Sequence, residues 1–266
     1  MKIRQNRLKQ NLIAGMKQYG IWHGIPDSYA AGICAGAGFD WICIDGEHAP
    51  FDFRAVLSSL QVIQSYDSQA IVRIPSTDPV LIKQYTDAGA QTILTPMIET
   101  ADQAEVISKA MRYPLVGTRG VGTALARAAQ WNRTVDYYTY ANDQMCCMGQ
   151  IESVIGVDNL NDILEIEGLD VVFIGPADLA ATMGYLGQAG HPEVVKLVTD
   201  IIKRTVKAEK IAGFLTTSKD LIQTYTDAGA QLLGVSLDTI LLAKATRNLA
   251  LKYKPELASK DSNTTY

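Results

Sequence analysis

Cysteine is scarce in this chain of 266 residues, with only four present. Cys34 and Cys43 stand alone and Cys146 adjoins Cys147, so neither CxxC spacing nor a disulfide framework exists. All four read as small core residues. A reactive pair at Cys146-Cys147 would need an electropositive pocket, and the apolar stretch around it supplies none. Long hydrophobic runs are missing too, which excludes a spanning helix. The polar, basic Met1–Gln10 is not followed by an apolar segment of signal-peptide type. The expected location is therefore cytoplasmic, with no membrane partner. Excess positive charge is likewise absent. The formal net charge is -4 and the basic residues are scattered, which leaves no footprint for nucleic acid. No GxGxxG follows the first strand candidate, and the Gly117-Thr118-Arg119-Gly120-Val121-Gly122 stretch lacks the Lys-Ser/Thr ending of a phosphate loop.

What remains is an ordinary globular composition, 47% hydrophobic and 20% charged. Short apolar runs recur at Gly20–Gly24, Trp41–Asp45, Ala70–Ile74, Thr92–Thr95, Met145–Ile151, Val171–Gly175, Ile211–Leu215 and Leu232–Ser236. They are nearly continuous in apolarity, as parallel strands buried on both faces are, and helical patterns lie between most of them. Tyr85-Thr86-Asp87-Ala88-Gly89-Ala90-Gln91 repeats as Tyr225-Thr226-Asp227-Ala228-Gly229-Ala230-Gln231, and Ala35-Gly36-Ala37-Gly38-Phe39 plays the same part before Trp41. In each, a glycine can end a helix in the left-handed region before the next strand. Eight strand candidates predict an α/β (β/α)₈ TIM barrel, one domain over residues 1–253, with Leu237–Tyr253 as a last amphipathic helix. Residues 254–266 are polar and aperiodic and read as a disordered tail. The long Tyr113–Asp143 connection holds the glycine stretch and a helical-looking Ala124–Ala129, and connections of that length are usually functional.

In such a barrel the active site lies at the carboxyl ends of the strands. The second run ends Asp45-Gly46-Glu47-His48, the third carries Arg73 near its end, the fifth ends Gln150-Ile151-Glu152 and the sixth ends Gly175-Pro176-Ala177-Asp178. Glu152 and Asp178 are hard oxygen ligands on neighbouring strands, suited to Mg²⁺ or Mn²⁺; the alternative is a helix cap or a surface carboxylate. His48 is either a general base or a solvated loop side chain. Arg73 emerges from an apolar strand to meet a carboxylate or a developing oxyanion, or else to pair with Asp45 or Glu47. Asp87 has a twin in Asp227, so the repeat explains it without chemistry. His191 looks structural, and His23 reads as a satisfied core histidine.

The segments Trp41–Pro50, Arg119-Gly120-Val121-Gly122 and Val172–Leu179 together resemble the class II, metal-dependent pyruvate aldolases, which include 4-hydroxy-2-oxoheptanedioate and 2-keto-3-deoxy-L-rhamnonate aldolases. The likeness runs from about Gly20 to about Leu249. It implies a (β/α)₈ barrel whose last helix is exchanged between subunits of a homo-oligomer, often a hexamer, and a Mg²⁺, Mn²⁺ or Co²⁺ cofactor. By the same resemblance the metal carboxylates fall on Glu152 and Asp178, and the substrate contacts on Gln150, Ala177 and Asp178. The catalytic positions fall on His48, Arg73 and Asp87. Asp87 thereby takes the part of the aspartate that raises the histidine's basicity. The implied reaction is cleavage of a 4-hydroxy-2-oxo acid to pyruvate and an aldehyde. Alternatives on the same barrel are a 2-keto-3-deoxy sugar acid aldolase and a malyl- or citramalyl-CoA lyase, although no CoA-binding surface is evident. No strand candidate contains a lysine for a Schiff base.

Overall fold

The computed structural model describes residues 2–260. Strands β1 (Gln18–His23), β2 (Trp41–Asp45), β3 (Gln69–Arg73), β4 (Thr92–Thr95), β5 (Cys146–Ile151), β6 (Val171–Ile174), β7 (Ile211–Leu215) and β8 (Leu232–Leu237) close into one parallel barrel in chain order. Around them lie α1 (Arg7–Ile13), α2 (Ser28–Ala35), α3 (Phe53–Ile63), α4 (Pro79–Ala88), α5 (Ala101–Ala110), α6 (Tyr137–Tyr140), α7 (Val154–Asp158), α8 (Leu160–Leu164), α9 (Pro176–Thr182), α10 (Pro192–Lys207), α11 (Lys219–Asp227) and α12 (Asp238–Tyr253). The eight apolar runs are the eight strands, with ends differing by at most two residues.

Side chains alternate across each strand, and here the alternation divides two cores. Trp22, Trp41, Cys43, Ile71, Leu94, Cys146, Met148, Val171 and Phe173 pack inside the barrel. Ile21, Ile42, Ile44, Val72, Ile93 and Val172 pack outside it, against the helices. Gly20 makes room for the largest inner residue, since a Cβ there would lie 2.0 Å from the Trp41 ring. Continuing the inner set along each strand by steps of two reaches Asp45, Arg73, Gln150 and Glu152. The same period of two that builds the core thus carries polar side chains to the mouth.

Local signals set the connections. Asp52, Asp78, Thr100, Ser153 and Ser218 each accept a backbone N–H at a helix start. Gly89 and Gly229, twins in the repeat, take φ of 109° and 113°. In the third copy Gly38, not Gly36, is left-handed. The Tyr113–Asp143 connection holds two short 3₁₀ turns and α6, so Ala124–Ala129 contributes only the turn Arg127–Ala129. Its glycine stretch is pinned down, with Thr118 N–H donating to Lys109 O (2.8 Å) and Arg119 N–H to Arg112 O (2.9 Å). Pro255–Lys260 forms a 3₁₀ helix where composition predicts an irregular tail; Arg247 caps it by donating to Leu257 O at 3.1 Å. The rest of that tail, 261–266, lies outside the described residues. Among the described residues no helix is long and apolar enough to cross a membrane.

Candidate active site

Register puts the charges together. Asp45 and Arg73 are direct neighbours across β2 and β3. Arg73 grips Asp45 with two hydrogen bonds, Nε to Oδ1 at 2.9 Å and Nη2 to Oδ2 at 2.7 Å, and its Nη1 lies 2.9 Å from Glu47 Oε2. The guanidinium also sits 5.4 Å from the Trp22 ring centroid. Asp45 Oδ1 additionally accepts the N–H groups of Glu47 (3.1 Å) and His48 (3.2 Å), which shapes the turn after β2. Arg73 therefore has the ion-pair partners anticipated for it, and these hold its fork rigid.

Burial pushes Asp45 up, but the Arg73 bonds and charge outweigh it and hold its carboxyl below its ordinary value. A carboxyl depressed in the folded chain contributes stability that is present above its unfolded pKa of about 3.9 and is lost as pH falls through the folded value. Asp45→Asn should therefore lower Tm at pH 7 and lose that deficit below about pH 4, in thermal melts across pH. A deficit that stays constant down to acid pH would show the pair to be energetically silent.

Glu152 ends β5. Its Oε1 accepts Met97 N–H at 2.8 Å, a donor aimed by the left-handed backbone at Met97 (φ 52°). Its Oε2 accepts from Gln150 Nε2 at 2.5 Å, and the buried Gln150 Oε1 has no partner. Both side chains pass over Gly175, where a Cβ would meet Glu152 Oε2 at 2.5 Å and Gln150 Nε2 at 2.9 Å. Gly175 is thus required by close approach. Burial, with the charges of Asp178 and Glu47, pushes Glu152 up to about 7. Glu47 is likewise pushed up, by burial and then by Asp45 and Asp178, against the pull of Arg73 and His48.

Asp178 lies in the first turn of α9, with Ala177 beside it, both exposed. The cap position is Gly175 and no side chain caps this helix, so Asp178 is not the N-cap. Among the described residues its side chain has no hydrogen bond or ion pair. After burial, its charge contributes to pushing both Glu47 and Glu152 up. His48 is exposed, with Nε2 3.8 Å from Glu47 Oε2. Asp87, on α4, instead accepts from Arg119 Nη2 at 2.6 Å. That fully buried guanidinium also stacks 4.5 Å from the Tyr113 ring centroid. Among the described residues no hydrogen bond joins Asp87 to His48.

The structure thus gathers Asp45, Glu47, Arg73, Gln150, Glu152 and Asp178 at one mouth, sets His48 at its rim, and ties Asp87 to the glycine stretch. Sequence reasoning did not single out Trp22, Met97 and Gly175. Trp22 was within reach through its place two residues after Gly20, on the inner set of β1. The Met97 donor depends on a backbone conformation that no residue type signals.

Four carboxylates converge at this mouth: Asp178 has no side-chain partner, Glu152 is pushed up by burial and by the charges of Asp178 and Glu47, and the buried Gln150 amide oxygen is orphaned. That donor set fits a divalent cation of the oxygen-loving kind, with Glu152 and Asp178 as ligands.

A family model described as HpcH/HpaI aldolase/citrate lyase matches residues 18–245. A hydroxypyruvate/pyruvate aldolase of Deinococcus radiodurans is 50% identical, over 94% of this chain and 90% of that protein. A 4-hydroxy-2-oxo-heptane-1,7-dioate aldolase of Escherichia coli is 49% identical over 94% and 95%. A crystal structure of an HpcH/HpaI aldolase/citrate lyase family protein from Burkholderia cenocepacia J2315 superposes with a TM-score of 0.90 at 37% identity, covering 94% of this chain and 100% of that one.

Proposed function

The chain belongs to the HpcH/HpaI aldolase/citrate lyase family, and on that premise we propose how its residues divide the work of an aldolase. The protein is a carbon-carbon lyase that cleaves a 4-hydroxy-2-oxo acid to pyruvate and an aldehyde. The observation that carries the residue assignment is the convergence of Glu152, Gln150 and the Asp45-Arg73 pair at the carboxyl ends of strands β2, β3 and β5.

Glu152 and Asp178 hold a divalent cation, Mg²⁺, Mn²⁺ or Co²⁺. When bound, it supplies Lewis-acid polarisation of the 2-oxo acid. Gln150 and the backbone at Ala177 receive the pyruvate half. His48 Nε2 accepts the proton of the 4-hydroxyl, the C3–C4 bond breaks, and its electron pair leaves the aldehyde and moves toward the C2 oxygen. Arg73 faces that developing negative charge, already oriented by Asp45 and so needing no reorganisation. Protonation at C3 completes pyruvate. Trp22 lines the floor and keeps water from beneath the guanidinium. Asp87 orients this proton relay when a neighbouring subunit or a closing loop brings His48 to it.

The assembly is a homo-oligomer, a hexamer in this reading, with α12 laid on a neighbouring subunit. The exposure of Leu241, Leu242 and Leu249, at 48%, 55% and 58%, supports that placement. The physiological substrate is a straight-chain dioic acid of the 4-hydroxy-2-oxoheptanedioate type.

The test follows pyruvate release from 4-hydroxy-2-oxoheptanedioate and from 2-keto-3-deoxy-L-rhamnonate, with EDTA and with added Mg²⁺ or Mn²⁺. Release that EDTA stops and metal restores, with kcat/KM higher for the dioic acid, is the expected result. Turnover unaffected by EDTA would remove the cation from this account, and a preference for the sugar acid would move the substrate assignment.

A further inference from the structure

A second constellation lies outside the barrel mouth, in the layer between strands and helices. His23 ends β1 on the outer set, opposite in facing to Trp22, and is fully buried against the Phe51 ring at 5.2 Å between centroids. Its Nδ1 is 2.7 Å from Asp238 Oδ2, while its Nε2 is buried with no partner. Asp238 opens α12 and is held by the N–H groups of Gly24 (2.8 Å), Ile25 (3.3 Å) and Thr239 (2.6 Å). Cys34, near the end of α2, completes the group. One ligand atom from each of the three lies within 4.8 Å of the others, and among the described residues no other set of three such groups is so close.

A neutral imidazole has one donor and one acceptor nitrogen, so with Nδ1 engaged by Asp238 the second nitrogen is stranded whichever tautomer forms. A buried polar atom without a partner is costly, and the ring that carries it lies within reach of the Cys34 thiol and the Asp238 carboxylate. We propose that His23, Cys34 and Asp238 form a second cation site, taking a borderline-soft divalent ion of the Zn²⁺ class. Imidazole, thiolate and carboxylate are the donors Zn²⁺ accepts, at about 2.0–2.3 Å in a tetrahedron, whereas Mg²⁺ takes oxygen donors only. Three protein ligands leave the fourth position to water. The amides on Asp238 orient the carboxylate from behind, as outer partners do in metal sites.

Binding replaces a proton with the cation. The Cys34 thiol gives up H⁺ to solvent as the metal–sulfur bond forms, and no electron is transferred. The site joins two consecutive elements, the end of β1 and α2, to the first residue of α12, which is remote from both in the chain. An ion there favours the folded chain by mass action and fixes the base of α12.

The full chain, stripped with EDTA under reducing conditions, is titrated with Co²⁺. Two equivalents are expected, one of them giving thiolate-to-cobalt charge-transfer absorption that Zn²⁺ abolishes on displacing Co²⁺. Cys34→Ala should lose the band and one equivalent while keeping Mg²⁺-supported pyruvate release. Glu152→Gln should keep the band. Cys43, Cys146 and Cys147 are fully buried in the core, so the band reports Cys34. Zn²⁺ should raise Tm of the wild-type chain, and not of Cys34→Ala or His23→Leu. A titration without a thiolate band, a band that survives Cys34→Ala, or one that Glu152→Gln removes, would each overturn the proposal.

Discussion

Glu152→Gln is expected to lower kcat/KM for pyruvate release by about 10³-fold, because a catalytic cation supplies several kcal/mol and each 1.4 kcal/mol is tenfold. The substitution is nearly isosteric. The side-chain oxygen can still accept Met97 N–H, and the missing charge matters little to packing. In the chain without metal, Glu152 is buried near Glu47 and Asp178 and its carboxyl is pushed up to about 7. A neutral amide removes that repulsion, so the metal-free variant should melt no lower than the metal-free wild type at pH 8. Loss of activity together with loss of Mn²⁺ binding by calorimetry and an undiminished Tm separates a missing ligand from a misfolded barrel. A variant that binds Mn²⁺ as tightly as the wild type and turns over normally would remove Glu152 from the site.

Arg73 offers the second large effect, and the form of the substitution decides what is learned. Arg73→Ala strands Asp45 and Glu47 in a mouth where Arg73 and Asp45 side chains are each 8% exposed. Leaving a buried partner unpaired costs about 3–5 kcal/mol, so that variant reports stability first. Arg73→Lys keeps the charge and loses the fork that spans Asp45 and Glu47. Its expected effect is a fall of about 10²–10³ in kcat, the size seen when one preorganised donor to a developing oxyanion is lost, with a modest change in Tm. A kcat within a few fold of wild type would reduce Arg73 to a structural cation that ties β2 to β3.

Position along the strands explains which parts of the site are legible in the sequence. Asp45, Arg73, Gln150 and Glu152 stand at the ends of apolar runs, and the strand period of two carries them inward with the core residues before them. Their grouping was readable because a parallel barrel aligns strand ends. Asp87 shows the limit. The repeat explains it as a helix-end residue, the family resemblance gives it a part in catalysis, and the fold pairs it with Arg119, 32 residues away. Neither the repeat nor the resemblance contains the path of the Tyr113–Asp143 connection that delivers Arg119. His23 shows it again: within an apolar strand it reads as a satisfied core histidine, yet one of its nitrogens is unpaired and its neighbours come from α2 and α12.

By itself the sequence determined the strands, the helices between them and the glycine turns, because each depends on residues within a few positions and on the periods of strand and helix. It determined the barrel as well, since eight buried parallel strands of this spacing close on themselves. Only the tertiary structure decided which charges meet. Asp45 reaches Arg73 through strand register, Glu152 meets a donor through an unusual backbone angle at Met97, and Asp238 reaches His23 across 215 residues of chain. Electrostatic and ligand contacts act over a few ångströms in space, whereas the patterns readable along a chain extend over only a few residues.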